Sequence, residues 1–285
     1  MAVVVVTLTV QLSPSPNPYA QWPLPETLAT MTTTYSRLSW HPKGLGYTLV
    51  MTVITLAFVG LWVFEGHYLF TAWFPSLYDE ITPINGVMAG GFMTLMLCSA
   101  LISLLLPRQY PQATTILLIG VLSFGLMLPW SFVTETPLLT VVLLVLVITI
   151  AFLITRLHPH ESGILPTYDD DVSKPLLGLT FFLVIPFATL AADMQWAQLT
   201  RSDAIADRWF YGGYAMYLLA CMVYSTIATI DASRRAIAGW VTVFLVGLLG
   251  LVSMVYPTAL HSLGTIGGAL LLLWTIAVAA LLLAE

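Results

Sequence analysis

The chain has 285 residues, of which 59% are hydrophobic and only 8% are charged. Soluble globular domains carry about 25% charged residues, so this composition excludes a water-soluble enzyme. Nine basic and 14 acidic side chains give a net charge of −5. A nucleic-acid-binding protein needs clustered Lys and Arg side chains to contact phosphates. The small number and the scatter of basic residues here exclude that class. The composition therefore predicts an integral membrane protein in contact with a lipid bilayer.

Residues 1–45 are predicted to form a cytoplasmic tail that is partly disordered. Residues 2–12 are apolar but too short to span a bilayer, and no Lys or Arg precedes them as in a signal peptide. The sequence Ser-Pro-Ser-Pro-Asn-Pro at residues 13–18 is typical of a flexible segment. Two interpretations of residues 1–30 stay open: a disordered part of the natural protein, or a stretch that does not belong to it.

Eight apolar stretches follow this tail. A helix needs roughly 20 residues to cross a hydrocarbon core of about 30 Å, and each stretch meets that length. The stretches are apolar on all sides, whereas a transmembrane β-barrel would alternate apolar and polar residues. The sequence therefore predicts an all-α, polytopic membrane bundle of eight transmembrane helices. The predicted spans are 46–64, 84–106, 114–134, 137–156, 175–193, 209–230, 237–256 and 259–284.

The basic residues predict the orientation of the bundle in the cell membrane. With eight spans, both termini lie on one side, and that side holds seven of the nine basic residues. Cytoplasmic loops carry an excess of Lys and Arg, so both termini are predicted to be cytoplasmic. The seven are Arg37, Lys43, Arg108, Arg156, Lys174, Arg234 and Arg235, and the two on the outer side are Arg201 and Arg208.

An internal repeat is predicted from a shift of 127–128 residues along the chain. The shift places the first four spans on the last four and keeps their direction, which describes two parallel four-helix repeats. The repeats cover residues 46–156 and 175–285, with a cytoplasmic linker at 157–174. The matched pairs are Glu65 and Asp193, Gly86 and Gly213, Arg108 and Arg235, Gly120 and Gly247, and Pro129 and Pro257.

Ionisable residues occur at the predicted ends of the spans and not in their middles. Charged groups in a membrane interior are costly and usually functional, so their absence argues against a proton pump or an ion-coupled transporter with a carboxylate site. On the outer side, acidic and histidine side chains lie among aromatic residues, which suit either a membrane-interface belt or a ligand site. The candidate ligand-binding residues are Glu65, His67, Glu135, Asp193, His261, Trp130 and Trp196.

His67 and His261 are the only histidines on the predicted outer side. Imidazole and carboxylate groups suit zinc, iron or manganese, and two histidines could also be axial ligands of a haem. Neither residue belongs to a recognised metal motif such as HExxH. The two histidines are weak metal candidates, no metal site is predicted, and the cofactor, if any, stays unknown.

Two further acidic or histidine clusters each have a chemical and a structural interpretation. Asp203 and Asp207 form a DxxxD pair that could hold Mg²⁺, or they could pair with arginines on a short interfacial helix. His158, His160 and Glu161 could bind a metal, but Pro and Gly nearby favour a solvated, mobile loop.

Three classes of function stay open at this stage. The sequence favours a transporter or binding protein for a small or lipophilic molecule, with its site near the outer face. The alternatives are a membrane enzyme that uses an outer-face His and carboxylate site, and an accessory subunit of a membrane complex. No P-loop, GxSxG or dinucleotide-binding fingerprint supports a soluble-type catalytic domain.

Overall fold

The computed structural model describes residues 42–66, 68–73, 83–127, 137–159, 164–166, 168, 171–203 and 210–284. These residues form nine α-helices and one π-helical turn, Trp62–Gly66, which directly follows α1. The helices are α1 Pro42–Leu61, α2 Tyr68–Thr71, α3 Pro83–Leu105, α4 Pro111–Met127, α5 Pro137–Leu157, α6 Lys174–Thr200, α7 Phe210–Ile230, α8 Arg235–Val255 and α9 Gly264–Ala284.

The prediction of an all-α, polytopic membrane bundle is confirmed. Within the described residues, seven helices are long and apolar enough to cross a membrane. The third predicted span, 114–134, corresponds to α4, which has 17 described residues, or about 25 Å of helix at 1.5 Å per residue. The remainder of that predicted span lies outside the described residues.

The long helices divide into central and peripheral ones. In the apolar windows of α3, α7 and α8, 56–67% of the residues are buried, compared with 17–28% in α1, α5, α6 and α9. The peripheral helices expose large aliphatic and aromatic side chains, for example Leu138, Phe182 and Ile266, each more than 75% exposed. Contiguous apolar surfaces of this extent are rare in soluble proteins and are the surfaces that face lipid in a membrane protein.

Buried tyrosines of α7 join this helix to α4 and α8. The Tyr224 hydroxyl of α7 donates to the Ile116 carbonyl of α4 over 2.7 Å, and the Tyr217 hydroxyl donates to the Leu245 carbonyl of α8 over 2.6 Å. Both rings are almost fully buried. A buried hydroxyl is costly when it has no partner, so these bonds favour the observed packing over a rotated one.

Successive long helices run in opposite directions, and their ends form two distinct faces of the bundle. At one end, the Tyr256 hydroxyl after α8 donates to the Trp73 carbonyl after α2 over 2.8 Å. We call this the His261 end; it includes residues 68–73, 201–203 and 256–263. The opposite end, which we call the Arg234 end, includes residues 106–110, 158–159, 164–166, 171–173 and 231–234.

The Arg234 end contains a buried ion pair. The guanidinium of Arg234 donates to the carboxylate of Asp231, and the two side chains are only 5% and 1% exposed. The Nε of Arg234 also donates to the Thr115 hydroxyl at the start of α4 over 3.3 Å. Ser233 donates to Asp231 over 2.6 Å. The pair therefore ties the turn between α7 and α8 to the first half of the chain.

The expectation of a solvated linker at 157–174 is wrong for several of its described residues. His158 is 2% exposed and contacts the Tyr47 ring edge-on, with centroids 5.1 Å apart. The Ile164 carbonyl accepts a hydrogen bond of 2.6 Å from the Thr115 hydroxyl, and the Ser173 N–H donates to the Thr229 carbonyl over 3.2 Å. His158, Ile164 and Ser173 pack on the helix ends because these bonds and the burial of their side chains outweigh the effect of the nearby prolines. His160 and Glu161 lie outside the described residues.

Candidate functional site

A pocket of about 230 Å³ opens at the His261 end. Its walls come from the last turns of α6, the first turns of α7 and the loop between α8 and α9. The polar lining residues are Asp193, Arg201, Tyr211, Tyr214, His261 and Ser262. The apolar lining residues are Leu190, Met194, Ala197, Leu260 and Leu263.

The loop that carries His261 is held by a small network of serine hydrogen bonds. The Ser262 hydroxyl donates to the Ser253 carbonyl over 3.2 Å and accepts from the Gly264 N–H over 3.0 Å, at the start of α9. The Leu263 N–H donates to the Ser253 hydroxyl over 3.3 Å. His261 has a φ of 64° in this turn, the left-handed region that non-glycine residues adopt rarely and that recurs at ligand sites.

Three side chains fix the imidazole of His261. Its ring stacks on Tyr214, with centroids 4.9 Å apart and planes 23° apart, and it meets Tyr211 edge-on at 5.2 Å. Its Nδ1 lies 3.0 Å from Oδ1 of Asn85. An amide oxygen can only accept, so Nδ1 carries the proton and donates this bond. The Nε2 atom is then left without a proton, as an acceptor.

Burial keeps this imidazole uncharged. Desolvation lowers the pKa of His261 from its ordinary value of 6.5 to about 4, because the charged form loses its hydration. The ring is therefore neutral at pH 7, and Nε2 is available as an acceptor throughout the neutral range.

Several buried polar atoms in this region have no hydrogen-bond partner among the described residues. They are His261 Nε2, Asn85 Nδ2 and the Tyr214 hydroxyl. Asn85 and Tyr214 are 9% and 2% exposed. A buried polar group without a partner costs about 1–3 kcal/mol, and native proteins rarely leave several together. Two of these residues, Tyr214 and His261, line the pocket, which makes it the candidate site of the described structure.

The two charged lining residues carry opposite charges. The guanidinium of Arg201 donates to the Tyr211 hydroxyl over 2.9 Å and lies 5.3 Å from the centroid of the same ring. The Tyr211 hydroxyl donates in turn to Asp203 over 3.4 Å. Asp193 is exposed at the rim. With a neutral His261, the formal charges of Asp193 and Arg201 cancel, so the lining has no net charge.

The structure brings together two of the seven predicted ligand-binding residues. Asp193 and His261 line the same pocket. Their positions relative to the helix ends differ from the prediction. Helix α6 continues for nearly two turns beyond Asp193 to Thr200, and α9 begins only at Gly264. His261 therefore lies in the preceding turn and not in the eighth helix.

The other predicted residues do not join the pocket. Trp196 is 67% exposed on α6 and is absent from the pocket lining. The side chain of Glu65 and the whole of His67, Trp130 and Glu135 lie outside the described residues. Their assignment to an outer-face site stays a prediction.

Asn85 was missed by the sequence analysis, although one signal could have revealed it. The chain has two asparagines, and Asn85 is the one that occurs within a predicted span. A polar amide in an apolar run requires a partner inside the bundle, and here the partner is 176 residues away in His261. Arg201 and Ser262 were also not selected, because isolated Arg and Ser residues near a helix end are ordinary in any membrane protein.

Among the described residues, no three His, Cys, Asp or Glu side chains come together as a metal-binding group. His67, one of the two weak metal candidates, lies outside that part of the chain. His261 has an amide and two tyrosines as its ring neighbours. Hydrogen bonding and ring stacking are therefore the interactions in which the His261 ring takes part.

The fold defines a class of protein: an integral, multi-pass membrane protein built of apolar helices. The chain matches no model of a known protein family, and no curated protein or solved structure matches it significantly.

Proposed function

We propose that the protein binds a small amphiphilic molecule in the pocket at the His261 end, either as a binding protein or as a transporter. The observation that carries the proposal is an open pocket with a mixed polar and apolar lining, in which Tyr214 and His261 each have a buried polar atom without a partner among the described residues. These groups would otherwise destabilise the bundle, and a ligand that reaches them would offset that cost.

The apolar part of the lining supports an amphiphile over a purely polar solute. Leu190, Met194 and Ala197 of α6 and Leu260 and Leu263 of the loop form one wall of the pocket. Ligand sites combine such apolar walls with a few placed polar groups. The pocket also lies where the apolar helices end. In a membrane-spanning bundle such a position would be near the surface of the bilayer. A molecule there could place its apolar body in lipid and its polar end in water.

Filling the pocket tests this proposal. In Leu190→Trp, the larger side chain occupies the pocket, so small molecules that co-purify with the wild-type protein should be largely lost from an extract analysed by mass spectrometry. Leu270→Trp is the matched control, because Leu270 is 61% exposed on α9 and lies outside the pocket lining. Identical extracts from the wild-type and Leu190→Trp proteins would contradict the proposed function.

We also propose that the His261 end faces the outside of the cell. Arg108, Arg156, Lys174, Arg234 and Arg235 lie at the Arg234 end, as expected for a cytoplasmic face under the positive-inside rule. Arg201 is the described basic residue at the His261 end. This orientation would leave the pocket open to molecules that arrive from the exterior or from the outer leaflet.

Cysteine labelling checks the orientation. In a variant that lacks Cys98 and Cys221, Ser202→Cys and Thr258→Cys should react with a membrane-impermeant maleimide in intact cells. Leu165→Cys and Ser233→Cys should react only after permeabilisation. All four positions are exposed or near a loop, so labelling of any one on the opposite side would refute the orientation.

The order of helix contacts supports the proposed parallel repeat. In the first half, α1 contacts α3, α3 contacts α4, α4 contacts α5, and α1 contacts α5. In the second half, α6, α7, α8 and α9 contact one another in the same order. Between the halves, the second long helix of each half packs on the third of the other, α3 on α8 and α7 on α4. Two copies related by an axis along the helices would produce this pattern.

A further inference from the structure

Asp193 gives the pocket lining an exposed carboxylate. This carboxylate forms no hydrogen bond or ion pair with another residue in the described part of the chain. Leu190 lies three residues before Asp193 and Ala197 four residues after it, and both line the same pocket. Side chains at these spacings are neighbours on the surface of a helix. The carboxylate is therefore accessible to a molecule in the pocket and has an apolar group on either side of it along α6.

The basic residue of the lining, Arg201, already has partners in the pocket wall. Its guanidinium donates to the Tyr211 hydroxyl over 2.9 Å and lies 5.3 Å from the centroid of the Tyr211 ring. The same hydroxyl donates to Asp203 over 3.4 Å, so a carboxylate lies close to the guanidinium. Arg201 and Asp193 are eight residues apart, or about 12 Å along the axis of α6. Because Coulomb attraction falls with distance, a charged group next to Asp193 responds mainly to its carboxylate.

The depth of Asp193 in the bundle indicates where the rest of a ligand would lie. Helix α6 has no charged residue between Lys174 and Asp193, and the rise between these two residues is about 29 Å. A hydrocarbon core is about 30 Å thick, so a core that begins at Lys174 would end close to Asp193. Leu190 is then one turn inside the core, and Arg201 lies on the water side. A molecule with a cationic group at Asp193 would have its apolar body beside Leu190.

We infer that the pocket binds an amphiphilic amine, whose ammonium group pairs with the carboxylate of Asp193 and whose apolar body packs against Leu190 and Met194. The inference rests on the proposed function and specifies its ligand class. An ammonium group has three donors for a carboxylate acceptor, whereas a fatty acid would be repelled by Asp193. A phospholipid amine does not fit the same order. Its phosphate lies between the ammonium and the acyl chains and would meet Asp193 before it reached Arg201.

Octylamine, octanol and octanoate are suitable probes, because they share an alkyl chain and differ in the polar end. Binding to the purified protein in phosphatidylcholine nanodiscs at neutral pH is measured by titration, and binding to empty nanodiscs is subtracted as the contribution of lipid. The wild-type protein should bind octylamine about fivefold more tightly than Asp193→Asn does, the factor expected for an accessible ion pair. Octanol should bind equally to both proteins, which shows that the pocket of the variant is intact.

Two further variants separate the role of Asp193 from a general effect of charge. Asp171→Asn removes the same charge from the opposite end of the bundle, where the Asp171 side chain is 76% exposed, and should bind octylamine as the wild-type protein does. Arg201→Gln removes the positive charge of the lining and should not weaken octylamine binding.

The outcomes distinguish the ligand class from the proposed function. Equal binding of octylamine to the wild-type and Asp193→Asn proteins, or an equal loss in Asp171→Asn, would overturn the amine assignment but leave an amphiphile site. Tighter binding of octanoate than of octylamine would overturn it in favour of an anion site at Arg201. Displacement of octylamine when phosphatidylethanolamine replaces part of the phosphatidylcholine would overturn it in favour of a lipid headgroup. Binding of every probe to the wild-type and Leu190→Trp proteins alike would instead refute the proposed function.

Discussion

Asp231→Ala should destabilise the protein by about 3–5 kcal/mol, the cost expected when one partner of a buried ion pair is removed. The substitution removes the carboxylate to which the guanidinium of Arg234 donates, and that guanidinium is only 5% exposed. It also removes the acceptor of the Ser233 hydroxyl and of the Arg234 N–H. The free energy of unfolding in a denaturing detergent is the measurement.

Asp171→Ala is the matched control, because it removes an Asp–Arg pair at the same end of the bundle. Asp171 lies 3.5 Å from Arg235, but its side chain is 76% exposed, and exposed pairs contribute at most about 1 kcal/mol. The double variant Asp231→Leu and Arg234→Met should recover part of the lost stability, since it removes both charges of the pair. Equal effects of Asp231→Ala and Asp171→Ala would contradict the buried-pair explanation.

Gly268→Ala should destabilise the α8–α9 hairpin by about 1–3 kcal/mol, the usual cost of overpacking a close contact. A Cβ at this position would lie 2.6 Å from the Gly250 carbonyl oxygen and 3.0 Å from the Met254 backbone nitrogen. Both are backbone atoms, so no change of rotamer relieves the contact and the two helices must separate. The unfolding free energy and the extent of labelling at Thr258→Cys would report the change.

Gly178→Ala provides the comparison for Gly268→Ala. Gly178 lies in α6, and a Cβ there would have nothing within 4 Å. Alanine is a better helix former than glycine by about 1 kcal/mol in soluble helices, so this variant should be neutral or slightly more stable. A similar loss of stability in both variants would show that close helix approach is not what Gly268 provides.

Part of the candidate site could be predicted from the sequence. Asp193 and His261 were selected because they lie at the outer ends of predicted spans among aromatic residues, and the structure places both in one pocket. The partner of His261 could not be predicted, because Asn85 is 176 residues away. A contact between such distant residues depends on how helices rotate and pack.

The helix boundaries show a similar division. The start of α5 at Pro137 agrees with the sequence, since Pro favours the first position of a helix. The end of α6 does not, because Asp193, a polar residue after an apolar run, suggested an earlier end than Thr200. Within the bundle, Gln198 near the end of α6 accepts from the Gly212 N–H of α7 over 3.1 Å, and Ala197 is buried. Tertiary contacts of this kind support two turns that hydropathy alone leaves unassigned.

The sequence by itself determined that the chain is a helical membrane protein, because a bilayer demands long apolar segments whose backbone groups are satisfied internally. Hydropathy follows burial only at the extremes: α5 is the most apolar span and among the least buried, and α7 is the least apolar and the most buried, but α8 is slightly more apolar than α6 and twice as buried. Only the tertiary structure decided that His261 lies in a turn against Asn85, and that His158 and Ile164 of the linker are buried at the Arg234 end. Hydropathy is a property of neighbouring residues, whereas a pocket depends on the packing of segments that are distant in the chain.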